Sequence, residues 1–339
     1  MNYNHLGDTN ISISAFSLGT MTFGEQVNEH DSCEIMSIAY EQGINFFDTA
    51  EMYSAPTKKE TFGLSEVILG KWLQTVDRSK VVIASKTAGP GRYPWIREGS
   101  GLTKQDIINS CNGSLQRLNT DYIDLYYIHW PERYTPMFGE IYYDHSKKRS
   151  STSIEEQLEA MEILKQCGKI RHVGLSNETP YGVSEFMKYG KIAAVQNPYS
   201  LTNRSYENGL DEILLNNDIS MIAYSPLGFG MLTGKYDSGF NDVDGRLSRY
   251  PDMQTRRWCR PDALIASKEY NQLAKSVGVD PAVFALAYCY QKKSIASTLL
   301  GVTSKEQLRS LMSSADVLIN NDVLKRINDI RWRLRDPSQ

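Results

Sequence analysis

The sequence predicts an α/β fold, a (β/α)8 TIM barrel, and three observations carry that expectation. Short apolar runs rich in β-branched and aromatic residues alternate with longer helix-period segments about eight times along the chain, the signature of a parallel sheet covered by helices. The runs are nearly continuously apolar, as strands buried on both faces should be. The chain has 339 residues, 41% of them hydrophobic, with no Pro/Ser-rich linker, so residues 1–339 read as a single barrel domain. An open doubly wound sheet is the rival, but its usual Gly-rich first turn is missing.

The elements are taken in chain order. "NYNHL" and "ISISA" flank a Gly-Asp turn and predict a small N-terminal β-hairpin closing the barrel bottom. Barrel strands are expected at "FSLG" (16), "INFFD" (44), "VVIASK" (81) and "YIDLYYIHW" (122), then at "IRHVGLS" (170), "IAAVQ" (192), "ISMIAYS" (219) and "SIASTLLG" (294). Between them lie amphipathic stretches such as "DSCEIMSIAYEQG", "SEVILGKWLQTV", "KQDIINSCNGSLQRLN" and "SIEEQLEAMEILKQCG". Gly43 and Gly168 read as glycines ending helices. Segments 87–102, 131–152 and 228–261 are too long to be simple connections. All come after strand C-termini, which in a barrel form the catalytic face.

Several strands end on polar residues at that rim. "INFFD" delivers Asp48, with Glu51 and Tyr53 close behind; "VVIASK" ends on Lys86, "YIDLYYIH" on His129 and "HVGLSN" on Ser176-Asn177. Asp48-Thr-Ala-Glu51 also fits a helix capping box, and a lone strand-end Lys or His is ordinarily structural. Convergence of Asp, Tyr, Lys and His at one mouth is harder to dismiss. A phenol, with an ordinary pKa near 10, becomes a usable acid when an ammonium held by a carboxylate lowers that pKa. An imidazole beside it orients or polarises a carbonyl. Such a set protonates a carbonyl as it becomes an alkoxide, and needs a hydride donor.

Other chemistries fit less well. The net charge is −3 and the pI about 6.0, so no basic field draws nucleic acid or anionic lipid. No apolar run is long enough to span a bilayer, and the N-terminus lacks a signal-peptide pattern. Five scattered cysteines without a C-x-x-C pair suit the cytoplasm and leave no thiolate metal site. "GFGMLTGKY" fails the phosphate-loop spacing. No His/acid motif suggests a metal. A glycosidase pairing of Asp48 with Glu132 would leave Lys86 and Tyr53 without roles.

Several stretches in order then give a family likeness. "GTMTFGEQ", "INFFDTAEMY", "SLQRLNTDYIDLYYIHWP", "GKIRHVGLSNET", "QNPYSLTNRS", "AYSPLGFGMLTGKY" and "LLGVTSKEQL" resemble the aldo-keto reductases, in particular the branch of the bacterial Tas-type proteins and potassium-channel β subunits. The resemblance implies a barrel that binds an extended NADPH and reduces a small-molecule carbonyl substrate. Asp48, Tyr53, Lys86 and His129 match the catalytic tetrad, Tyr53 as proton donor. Thr20 and Met21 fall in the first cofactor-binding stretch, with Asp48. Ser176, Asn177 and Gln196 match the positions holding the nicotinamide carboxamide, and Tyr224 the aromatic stacked on that ring. Ser225, Pro226, Leu227, Gly228, Gly230, Lys235 and Arg246 match the segment over the pyrophosphate. Gly301, Thr303, Ser304, Lys305 and Gln307 match the adenosine-phosphate end, and Thr303, Ser304 and Lys305 with Arg309 favour the 2′-phosphate of NADPH. Ser310 and Leu311 depart from the Glu-Asn of channel-associated relatives. The substrate pocket should be walled by loop aromatics: Tyr93, Trp95, Trp130, Phe138, Tyr142, Phe229 and Trp258. The resemblance also carries an alternative, a regulatory subunit sensing redox state through bound cofactor, against which His129 speaks because channel subunits commonly lack it.

Overall fold

Eight apolar strands buried on both faces close on themselves, because a barrel leaves no unpaired edge. The computed structural model describes residues 1–99, 101–241 and 243–339. A hairpin, β1 (Tyr3–His5) and β2 (Ser12–Ser14), precedes the repeating units. These run β3 (Phe16–Gly19), α1 (Glu29–Glu41), β4 (Phe46–Asp48), α2 (Leu64–Leu73), β5 (Val82–Thr87), α3 (Lys104–Leu118), β6 (Ile123–Ile128) and α4 (Ile154–Gln166). The second half continues β7 (Ile170–Ser176), α5 (Pro180–Met187), β8 (Ala194–Pro198), α6 (Leu210–Asn216) and β9 (Ser220–Tyr224). After β9 come α7 (Arg246–Arg249), α8 (Pro261–Ser276) and α9 (Pro281–Tyr290), then β10 (Ser297–Leu300), α10 (Lys305–Met312) and α11 (Asn321–Arg333). Strands β3 to β10 pair in parallel in chain order, and β10 returns to β3. This is the (β/α)8 barrel expected.

Local chemistry sets the boundaries. Thr103 and Asp106 form a capping box at the start of α3, and Asp280 caps α9 ahead of Pro281. Gly43 and Gly168 lie just past α1 and α4 at φ 89° and 72°, the left-handed conformation that a helix C-terminus demands and glycine adopts without strain. The expected strand at "INFFD" is shorter than its apolar run. Asn45 spends its side chain on the hairpin, donating to Ser12 O and accepting from Ser14 N at 2.8 Å each, and pairing starts at Phe46.

The hairpin plugs the barrel's N-terminal end. Leu6 and Ile13 are fully buried and join Phe46, Val82, Leu125, Ile222 and Leu299 in the cluster inside the barrel. Burial of each contributes roughly 1.5–3 kcal/mol. With that end stoppered, ligand access is left to the opposite rim. There the connections after β5, β6 and β9 span 88–103, 129–153 and 225–260, the three long loops expected. A fourth, 49–63 after β4, carries Tyr53. Register levels the strand ends: Gly19 pairs with Asp48, Lys86 with Tyr127 and Ser176 with Gln196.

Candidate active site

Asp48 closes β4, and no helix begins there. The next one, α2, starts at Leu64 with Gly63 as its cap, so the capping-box reading fails. The side chain instead turns into the barrel mouth, 2% exposed. Oδ1 accepts a short hydrogen bond from Lys86 Nζ and Oδ2 accepts from Gln196 Nε2 at 2.7 Å. Lys86, fully buried, also donates to Thr49 O at 2.7 Å. Thr20 braces the backbone, its N and Oγ1 donating to Asp48 O at 2.9 and 3.0 Å. Burial raises the Asp48 carboxyl and lowers the Lys86 ammonium from their ordinary values, and each group's charge opposes the shift of the other.

Tyr53 stands over this pair. Lys86 Nζ is 5.2 Å from its ring centroid, and the His129 ring lies edge-on at 5.6 Å. Met21 packs in the same apolar cluster. The net shift of the phenol runs opposite to the lowering expected beside Lys86. Burial, then the Asp48 charge, holds Tyr53 well above its ordinary value. Among the surrounding groups Arg246 acts in the opposite sense. His129 is kept neutral, well below its ordinary value, by burial and then by the charges of Lys86 and Arg92. Its Nδ1 is buried with no hydrogen-bond partner among the described residues.

The residues matched to the carboxamide are joined to one another. Ser176 Oγ donates to Gln196 O at 2.9 Å. Asn177, at φ 55°, donates from Nδ2 to His129 O at 2.8 Å and accepts at Oδ1 from Tyr224 OH at 2.6 Å. One chain of hydrogen bonds thus ties the ends of β6, β7 and β9.

Beyond Tyr224 the backbone coils tightly. Ser225, Gly228, Phe229 and Gly230 have φ of 54°, 54°, 59° and 97°. Gly228 N donates to Ser225 O at 3.0 Å and Gly230 N to Leu227 O at 2.9 Å, Pro226 lying within the first turn. A Cβ on Gly230 would come within 3.1 Å of both Lys235 Cε and the Tyr236 ring. Lys235 is lowered from its ordinary value by burial. Arg246 is lowered likewise and lies 4.8 Å from the Phe229 ring centroid. Neither cation has a carboxylate partner among the described residues.

The 301–307 segment leads into α10 and contacts both itself and α1. Gly301 is open, with nothing near where a Cβ would stand. Ser304 caps α10, and Gln307 Oε1 accepts from Thr303 N and Oγ1 at 2.9 and 3.1 Å. Lys305 is paired with Glu34 of α1 at 2.8 Å, a carboxylate that lies far away in sequence. Glu34 also groups with His30 and Asp31, an exposed cluster whose ion pair with Lys305 accounts for it.

The pattern of the Aldo/keto reductase family matches residues 15–331. The chain belongs to that family. It is an oxidoreductase. Protein tas of Escherichia coli is 39% identical to this reductase over 97% of each chain. An aldo-keto reductase of Babesia bovis is 39% identical over 76% of this chain and 98% of its own. A probable voltage-gated potassium channel subunit beta of Arabidopsis thaliana is 28% identical over 97% of this chain and 96% of its own. The solved structure of the thermostable aldo-keto reductase Tm1743 with the inhibitor epalrestat superposes with a TM-score of 0.71, at 24% identity, over 97% of this chain and all of that one. No helix among the described residues is long and apolar enough to cross a membrane.

Around the site Glu51 has a role other than the capping one considered for it, and Arg97, Arg133 and Glu178 are residues that the sequence did not single out. Glu51, 2% exposed, accepts from Ala88 N at 2.5 Å and from Arg97 Nη1 at 2.6 Å, while Arg97 Nη2 donates to Ala88 O at 2.8 Å. It tethers the loop after β5, which lays Tyr93 and Trp95 against the Tyr53 cluster. Arg133 pairs with buried Glu178, joining the loops after β6 and β7. Trp130 and Phe138 pack beside Tyr53, and Phe229 stacks on Trp258 at 3.6 Å. Tyr142 is the exception among the expected lining residues. It is 81% exposed, on a polar stretch that lies outside the cluster. A strand-end rule finds none of the arginines, because their partners come from other loops.

Proposed function

We propose that this reductase converts an aldehyde or ketone to an alcohol with NADPH, Tyr53 delivering the proton. The observation that carries the reading is a phenol held protonated beside a neutral imidazole and a buried Asp48–Lys86 pair at the barrel mouth. A general acid must carry its proton at the working pH, and burial ensures that here. As the proton leaves, the ammonium 5.2 Å from the ring centroid favours the phenolate that forms. His129, neutral, orients the carbonyl oxygen. Asp48 holds Lys86 in place. Such acid catalysis is worth about 10²–10⁴-fold.

The residues fit the nicotinamide dinucleotide, which when bound supplies the hydride. Lys235 and Arg246 are cations with no carboxylate partner among the described residues, beside a backbone whose glycines allow close approach to phosphate. Ser176, Asn177 and Gln196 offer amide and hydroxyl groups at one level for the carboxamide, and Tyr224 a ring for stacking. At the adenosine end Arg309 and Lys305, the latter shared with Glu34, are the cations for the 2′-phosphate, and Thr303 and Ser304 add hydroxyls that also contact Gln307. Five free cysteines suit the cytoplasm, in which we place the reaction.

Titrating NADPH and NADH by quenching of protein fluorescence, with aldehyde-dependent NADPH consumption measured in parallel, tests both halves. NADPH should bind more tightly and be consumed. Equal or tighter NADH binding would refute the adenosine-end assignment. Tight binding without turnover on any carbonyl would replace the reductase reading with that of a regulatory subunit sensing redox state through bound cofactor.

A further inference from the structure

Lys235 and Arg246 have a use as phosphate partners, and Arg257 has none. It lies in the loop after β9 and is 5% exposed. No carboxylate among the described residues pairs with it, and its Nε is buried without a hydrogen-bond partner. Nη2 donates to Tyr224 OH at 3.4 Å, and the guanidinium otherwise rests near the Trp258 and Phe138 rings, at 4.5 and 6.0 Å from their centroids. A buried cation without a counterion is costly, and such a charge is ordinarily paired or reserved for an incoming anion.

Phe138 locates that charge. The ring belongs to the loop after β6 and packs in the cluster that holds Tyr53, Met52 and Trp130. Arg92, from the loop after β5, stands 4.4 Å from the same ring and acts on His129. Tyr224 links Arg257 to Asn177, which in turn holds His129 O. Two guanidiniums from different loops therefore share one ring, Phe138, that packs against the cluster holding Tyr53. The dinucleotide's phosphates already have Lys235 and Arg246 on the other part of that loop.

We infer that Arg257, with Arg92 at the rim, forms an oxyanion subsite, so that the preferred substrates are aldehydes or ketones carrying a carboxylate or phosphate on an apolar body. The inference rests on the carbonyl-reductase reading. Arg257 is a specificity-determining residue in it, its planar fork suited to two oxygens of one anion.

The test compares 4-carboxybenzaldehyde, 4-formylphenyl phosphate and the neutral methyl 4-formylbenzoate, with NADPH, on the wild type and on Arg257→Gln and Arg257→Lys. The readout is the ratio of kcat/KM for each anion to that for the ester, which cancels any general loss. A charge-assisted contact predicts a wild-type ratio of about 10–100, falling toward about 1 in the Gln variant and partly restored by Lys. Whichever anion shows the larger ratio names the group. A second arm measures binding of 4-carboxybenzyl alcohol to the NADP⁺-loaded protein by calorimetry, and needs no turnover. Binding that Arg257→Gln weakens about tenfold or more, with no reduction of any aldehyde, would sink the reductase reading and keep the anion subsite. An unchanged ratio in the variant would overturn the proposal, as would a loss that falls on NADP⁺ binding instead, since Arg257 would then serve the dinucleotide.

Discussion

Asp48→Asn keeps the shape of the side chain and removes its charge, leaving a fully buried ammonium with neutral acceptors, Thr49 O among them, and no hydrogen-bonded carboxylate. Breaking a buried pair from one side costs about 3–5 kcal/mol. At about 2.1 cal/mol/K per residue, the 339 residues imply an unfolding entropy of roughly 0.7 kcal/mol/K, hence a Tm lower by roughly 4–7 °C. The pH dependence sharpens the test. Burial already puts the Lys86 pKa below its ordinary value, and Asp48 is the largest influence holding it up, so the variant's value falls further. An amine depressed in the folded state loses stability as pH falls, because the unfolded chain binds a proton that the folded chain refuses. The variant's deficit should therefore be smallest near pH 10 and grow toward pH 7. Paired thermal melts of wild type and variant across that range, with NADPH-dependent turnover at pH 7, read all three quantities. Turnover should fall about 10²-fold, the low end for general acid catalysis. A deficit below about 2 °C that is flat with pH, with turnover near wild type, would refute the assignment of Asp48 as the anchor of Lys86.

Tyr53→Phe removes only the phenolic proton, so turnover should fall about 10²–10⁴-fold while NADPH affinity by fluorescence stays nearly unchanged; more than half the wild-type turnover would dismiss the acid role. His129 is held neutral, so the wild type must lose stability as pH drops below about 6.5, by up to about 1.4 kcal/mol per unit. His129→Gln should make urea-measured stability fall less steeply between pH 7 and 5, and parallel slopes would count against a buried neutral imidazole. Lys235→Met should weaken NADPH binding about 10-fold or more and reduce its salt dependence, whereas undiminished affinity would take this lysine out of the phosphate contact.

Strand ends are legible because a parallel barrel sends every C-terminal strand residue to the same rim. Apolar runs ending on Asp48, Lys86 and His129 can be placed without knowing a single contact. Whether Asp48 caps a helix depends instead on the loop beyond it. Glu51, the other half of the supposed capping box, is held by Arg97 and Ala88 N across the loop after β5. No local rule connects residues 51 and 97. The pairing of Lys305 is hidden for the same reason, since Glu34 lies 271 positions away. Arg92 and Arg257 are two of many arginines in sequence, and only their common approach to Phe138 gives them meaning.

The acidity of Tyr53 shows how burial changes an argument made from neighbours alone. Lys86 and Asp48 together are nearly neutral, so at the phenol their fields largely cancel, and the Asp48 charge itself opposes ionisation. Arg246 has no such partner among the described residues and lowers the phenol's pKa, but a phosphate seated on it would quench that field. The ammonium of Lys86, lying against the ring, would then be the cation left to meet a developing phenolate. The pair presents its ammonium to the ring, 5.2 Å from the centroid, while Gln196 Nε2 donates to the carboxylate oxygen that Lys86 does not hold. The hydrogen bond from Gln196 therefore bears on the acid as well as on Asp48: the positive end of its N–H dipole lies against the carboxylate whose charge opposes the loss of the proton.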